Sequence, residues 1–170
     1  MANPRKPFRL NVGFIVGNEV GFSNEFPFDF DKVQIEDDLE LRDFHGSAIL
    51  GRTPQGLLLT GAFEATTSLE CARCLREFDQ ILRWEMTELY AFNEKSVTDS
   101  DLILPDDAHI DLALLLRDYA LIEIPASPIC KPDCKGLCPI CGQDLNQKDC
   151  GHRAEADDSP FSTLKDLLKN

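Results

Sequence analysis

Seven cysteines and one histidine fall into four pairs at metal-chelating spacing. Cys71-Ala72-Arg73-Cys74 is the first pair, and Cys130 with Cys134 the second. Cys138-Pro139-Ile140-Cys141, followed by Gly142, is the third, and Cys150-Gly151-His152 the fourth. Structural zinc takes four nitrogen or sulfur ligands in a closed tetrahedron. If each close pair chelates one ion and each ion needs two pairs, the inventory fills two sites. Cys71, Cys74, Cys130 and Cys134 then hold one ion, and Cys138, Cys141, Cys150 and His152 the other. A single zinc on Cys134, Cys138, Cys141 and Cys150 is the alternative split. The expected cofactor is therefore structural zinc, as two ions or as one.

The turn residues support the metal reading. A Cys-Pro-x-Cys-Gly turn aims two thiolates at one point. Gly142 tolerates the backbone conformation needed after the second ligand, and Gly136 can serve the same purpose between Cys134 and Cys138. His45 and His109 have no partner at ligand spacing and read as structural. Cys71-Ala72-Arg73-Cys74 also admits a thiol–disulfide role, because a nearby Arg lowers a thiol pKa. Thioredoxin-type chemistry wants that motif at a strand-to-helix turn, whereas here it follows an alternating strand. A hydrolytic zinc would keep one open position. The chain has no His-Glu-x-x-His, no Gly-x-Ser-x-Gly and no phosphate-cradling glycine loop. No enzyme is expected.

The chain of 170 residues is 43% hydrophobic, enough for a core in one domain with a small appendage. It carries 17 Lys and Arg against 30 Asp and Glu, a net charge of −13. Broad binding to phosphate backbones is disfavoured by that balance. A basic protein partner suits it better, with a local RNA-binding patch of Arg73, Arg76, Lys131 and Lys135 as the rival. Arg5 and Lys6 have no apolar run of the signal-peptide kind behind them. No stretch approaches the ~18 apolar residues of a membrane span. A cytoplasmic protein with no membrane contact is expected, and paired cysteines there point to metal or catalysis rather than disulfides.

The elements that must position these residues are read from periodicity. Phe8, Leu10, Val12, Phe14 and Val16 alternate and predict a strand, and Gly17-Asn18 a turn. Residues 24–38 predict a loop with one short strand at most. Leu41–Arg52 and Leu57–Cys71 alternate around Thr53-Pro54-Gln55-Gly56 and predict a hairpin. Phe78, Leu82, Trp84, Met86 and Tyr90 fit a strand, while Phe78, Ile81, Leu82, Glu85 and Leu89 fit a helix. Residues 94–107 predict a solvated acidic loop. It lacks the glycine that calcium loops place at their turn. Asp111 predicts the cap of a helix to about Ala120. Ser159-Pro160 predicts a short C-terminal helix with Phe161, Leu164, Leu167 and Leu168 as its apolar stripe and Lys165 and Lys169 near its end.

Four passages resemble the YceD family, the large ribosomal RNA subunit accumulation proteins. They are Cys71-Ala72-Arg73-Cys74-Leu75-Arg76-Glu77-Phe78, then Ile110-Asp111-Leu112, then Ile124-Pro125 with Pro128 and residues 130–146, then Ser159-Pro160-Phe161 with Leu164. The family commonly shows Cys-x-Cys where this chain has Cys150-Gly151-His152, which supports His152 as a ligand. Some members lack the C-terminal cysteines but keep the Cys-x-x-Cys. The resemblance implies support of 23S rRNA accumulation and large-subunit biogenesis. An acidic factor would there hold a basic ribosomal protein or dock on an assembly intermediate. The expected fold is α+β: a β-rich antiparallel sheet or partly open barrel with a central helix over residues 1–125. A zinc-binding segment and short helix over residues 126–170 would pack on it. The first ion would staple that segment to residues 71–74.

Overall fold

The computed structural model describes residues 6–152. The elements run β1 (Arg9–Asn11), the helical turn α1 (Gly13–Val16), β2 (Ser23–Ile35), β3 (Leu39–Arg52), β4 (Gly56–Glu70) and β5 (Glu77–Ala91). A 3-10 turn (Glu94–Ser96), β6 (His109–Asp111) and α2 (Ala113–Ile122) follow. The long strands lie in chain order β2-β3-β4-β5, and β1 pairs with β6. The β2–β3, β3–β4 and β1–β6 pairs are antiparallel. The four-stranded sheet is open, with β2 and β5 as its outer strands. The expected antiparallel sheet forms, and it is not closed into a barrel. The chain gathers into two compact units, residues 6–69 with 78–126, and residues 70–77 with 127–152.

The first unit is built on period-two burial. β3 buries Leu39 and Leu41, then Phe44, Ala48 and Leu50. The change of parity is a bulge, where pairing shifts from Arg42↔Thr66 to His45↔Glu64. Asp43 takes a left-handed φ of 49° there. Gly46, next along, has a φ of 155°, and a Cβ on it would stand 2.3 Å from the Ala62 carbonyl oxygen and 2.7 Å from the Phe63 ring. The absent side chain lets Phe63 lie against the strand. Aromatic rings form the centre of the core: Phe8–Phe44 and Phe44–Phe63 centroids are 5.6 Å apart, and Phe63–Trp84 5.7 Å. Such pairs add to area burial.

Two expectations fail here. The strand over Phe8–Val16 is realised only at Arg9–Asn11, and Gly13–Val16 winds into a helical turn. β6 offers β1 only three partners, and Asn11 Oδ1 then accepts the Gly13 N–H at 3.0 Å, which starts the turn. Residues 24–38 are mostly strand, not loop. Phe26, Phe28 and Phe30 alternate with Pro27, Asp29 and Asp31, and β3 pairs them along their length. Pro27 is tolerated because β2 is an outer strand.

The period-two reading of β5 holds, with Leu82, Trp84, Met86 and Tyr90 buried. The hairpin turns at Thr53, whose N–H donates to the Gly56 carbonyl at 2.9 Å. Asp111 Oδ1 accepts the Ala113 N–H at 3.2 Å, and α2 begins there. Leu112, Leu116 and Ala120 are buried at helical spacing. Residues 94–107 carry the 3-10 turn and an isolated bridge from Ile103 to Ala91. The helix expected from Ser159 lies outside the described residues.

Candidate metal centres

Two loops of the second unit are built alike. In the first, the Cys71 N–H donates to the Arg76 carbonyl and the Leu75 N–H to the Cys71 carbonyl, both at 2.9 Å. In the other, the Cys138 N–H donates to the Gln143 carbonyl and the Gly142 N–H to the Cys138 carbonyl, both at 2.8 Å. The residue after the second cysteine is left-handed in each: Leu75 at 56° and Gly142 at 71°. These bonds fold each Cys-x-x-Cys so that its sulfurs converge. The remaining ligands arrive from short turns, such as the Cys134 N–H on the Lys131 carbonyl at 3.0 Å.

The ligand atoms of Cys71, Cys74, Cys130 and Cys134 lie within 4.8 Å of one another, and so do those of Cys138, Cys141, Cys150 and His152. The Cys71–Cys134 sulfurs are 3.8 Å apart, the Cys74–Cys130 sulfurs 3.7 Å, and Cys138 Sγ to His152 Nδ1 is 3.9 Å. A tetrahedron with metal–sulfur bonds near 2.3 Å has edges of about 3.8 Å. All seven cysteines are free thiols rather than disulfides. The donor set and its spacing fit a metal ion at each cluster. Cys134 stands with Cys71, Cys74 and Cys130, not with the later cysteines. Among the described residues, neither His45 nor His109 belongs to such a group.

The electrostatics favour anionic sulfur at selected positions. Burial pushes the Cys71 thiol up, but backbone N–H groups of Cys130, Cys74 and Arg73 outweigh it and leave the thiol lowered to about 6. The N–H groups of Cys141 and Ile140 bring Cys138 down to about 6. The Arg76 N–H lowers Cys74. Cys130 goes the other way, to about 12, through burial and the neighbouring thiols of Cys74 and Cys134. The His152 N–H favours the Cys150 thiolate, yet Cys138 and burial leave that thiol raised. Thiolates that accept N–H bonds beside protonated thiols are what metal binding converts to fully deprotonated sulfur ligands, four in the first cluster and three beside an imidazole in the second.

A shell of side chains holds the first cluster. Arg73 donates to the Cys134 carbonyl at 2.9 Å, and Arg76 lies 3.6 Å from the Asp144 carboxylate. Asn146 Nδ2 donates to Cys134 Sγ at 3.5 Å and to Asp144 Oδ1 at 2.8 Å, while its oxygen accepts the Lys135 N–H at 2.9 Å. Spacing between cysteines does not reveal Asn146, because its partners are brought to it by the fold. Gly136, at a φ of 75°, leaves no room for a side chain: a Cβ would sit 2.9 Å from the Arg73 carbonyl oxygen.

The two rival uses of these residues are constrained by the same geometry. Cys71 and Cys74 are 0% and 4% exposed, which closes them to a disulfide substrate. Of the four candidate RNA-binding cations, Arg73 and Arg76 are engaged as above, and Lys131 lies 3.5 Å from Asp133.

The chain thus combines a β-rich unit and a cysteine unit that carries two Cys-x-x-Cys knuckles. The family model for the large ribosomal RNA subunit accumulation protein YceD matches residues 59–168, and the chain belongs to that family. Relatives in Mycobacterium tuberculosis and Mycobacterium bovis, named only as uncharacterized proteins, are 36% identical over 118 residues, covering 67% of this chain and 56% of theirs. The chain thus spans about half the length of these curated relatives. It is also 35% identical over 63 residues to the chloroplastic large ribosomal RNA subunit accumulation protein YCED homolog 1 of Arabidopsis thaliana, which is 37% of this chain and 20% of that protein. No solved structure matches the chain. Among the described residues, no helix is long and apolar enough to cross a membrane.

Proposed function

We propose that this protein is a non-enzymatic, cytoplasmic accessory factor that supports accumulation of 23S rRNA and assembly of the large ribosomal subunit, with zinc as its structural ion. The carrying observation is the collection of eight sulfur and nitrogen donors into two four-ligand clusters within the stretch that defines the family. Cys71, Cys74, Cys130 and Cys134 hold one ion, and Cys138, Cys141, Cys150 and His152 the other. Sulfur and imidazole donors in closed sets of four favour zinc as a structural ion. Bound there, zinc supplies a cross-link and no open coordination position. The first ion ties residues 71–74 to residues 130–134, and so orders those two stretches against each other.

The partner is a basic ribosomal protein or an assembly intermediate presenting one. A net charge of −13 attracts Arg- and Lys-rich surfaces and repels bare phosphate. The test has two arms. Deleting the protein lowers 23S rRNA relative to 16S, and the wild-type chain restores the ratio while a Cys71→Ser/Cys74→Ser chain does not. An unchanged ratio in the deletion overturns the reading. Capture of basic ribosomal proteins by the intact chain falls as salt rises through the Debye range, and capture indifferent to salt removes the electrostatic partner.

A further inference from the structure

The two clusters share a knuckle and differ in what surrounds it. Cys71, Cys74 and Cys134 are buried, and Cys130 is half-buried. In the second cluster only Cys138 is buried; Cys150 is half-buried, and Cys141 and His152 are exposed. The first draws its ligands from two stretches far apart in sequence, so losing its ion means parting two chain segments. The second draws on residues 138–152 alone. Arg73 and Asn146 brace Cys134 in the first. Among the described residues, no side chain from outside the second cluster bonds its sulfurs. One of its donors is an imidazole in place of a thiolate.

An exposed ligand can be displaced stepwise by an incoming donor while the other three still hold the ion. A buried, braced ligand cannot. We infer that Cys138, Cys141, Cys150 and His152 form an exchangeable site for a zinc-class ion, whereas Cys71, Cys74, Cys130 and Cys134 retain theirs as long as the unit is folded. This rests on the reading of the clusters as metal sites. The chain then exists in singly and doubly loaded forms, set by mass action with free metal. Metal supply governs occupancy of the second cluster while the first keeps its ion.

The experiment is metal release from the full chain, with metal content measured beforehand. Zinc-loaded protein is mixed with excess 4-(2-pyridylazo)resorcinol, whose absorbance reports each ion removed. Two phases of equal amplitude are expected, differing in rate by about tenfold or more, the scale on which surrounding groups tune metal affinity. Cys141→Ser, at an exposed ligand, removes the fast phase alone. His152→Cys keeps its amplitude and slows it. One phase carrying both ions overturns the inference while leaving the metal reading intact, as does a Cys141→Ser chain that keeps the fast phase. A chain that holds no zinc and takes up none overturns both. A chain isolated with one chelator-resistant ion, which takes up a second and loses it fast, supports the inference.

Discussion

Leu75 and Gly142 occupy the same place in two loops with the same hydrogen bonds, at φ of 56° and 71°. A left-handed residue with a side chain costs roughly 1–2 kcal/mol, which glycine avoids. Leu75 is also 57% exposed, so little burial offsets that cost. Leu75→Gly is therefore expected to change stability by less than about 1 kcal/mol, strain relief balancing the glycine's unfolded-state entropy. Gly142→Ala is expected to cost about 1 kcal/mol from backbone strain alone, since nothing lies within 4 Å of its Cβ position. Gly136→Ala should cost clearly more, because its Cβ meets the Arg73 carbonyl at 2.9 Å. Urea unfolding of the metal-loaded chains ranks the three. A Gly136→Ala chain no weaker than Gly142→Ala contradicts the packing argument.

Metal retention should fail on acidification. Cys71 and Cys138 have folded values near 6, below the ordinary thiol value of 9.0. A depressed acid contributes stability that is fully present above its unfolded value and is lost as pH falls through its folded value. Without metal, these two thiols lose their contribution between about pH 9 and pH 6. The raised thiols of Cys130 and Cys150 stay protonated at neutral pH until metal displaces the proton. Zinc binding at pH 7 should thus release fewer protons than there are cysteines. Calorimetry in buffers of different ionisation enthalpy counts them. A full proton per cysteine rules out preformed thiolates.

Asn146 joins three groups: the Cys134 sulfur, the Asp144 carboxylate and the Lys135 N–H. Asn146→Ala should lower zinc affinity of the first cluster by about 10-fold or more, the range seen when a ligand's supporting partner is removed. Competition with a chelator of known affinity measures it. An unchanged affinity makes Asn146 a turn residue only.

Gly46→Ala tests the sheet. Its Cβ would fall 2.3 Å from one backbone oxygen and 2.7 Å from the Phe63 ring. Strand and ring must both move, at a cost of about 2 kcal/mol or more. Thermal unfolding of the variant should show a clear drop with zinc content unchanged, since the residue lies in the first unit.

Much of this protein is settled within short windows of sequence. Ligand spacing and the glycine after Cys141 depend on neighbours a few residues away, so the sequence names the candidate donors while leaving two ways of dividing them. Alternation likewise marks β3 and β4, although β3 changes parity at its bulge, whereas the β5 run fits a helix as well until its neighbour pairs it. What lay beyond the sequence depends on contacts between distant residues. β2 is a strand because β3 pairs it, which overrides the loop signals of Pro27 and its acidic residues. Phe8–Val16 leaves the strand because β6 is short. Asn146 supports Cys134, and the two clusters differ in exposure, only because the chain brings residues 70–77 and 127–152 into one unit. Local chemistry determined which atoms could bind a metal; tertiary packing decided how firmly each set is enclosed.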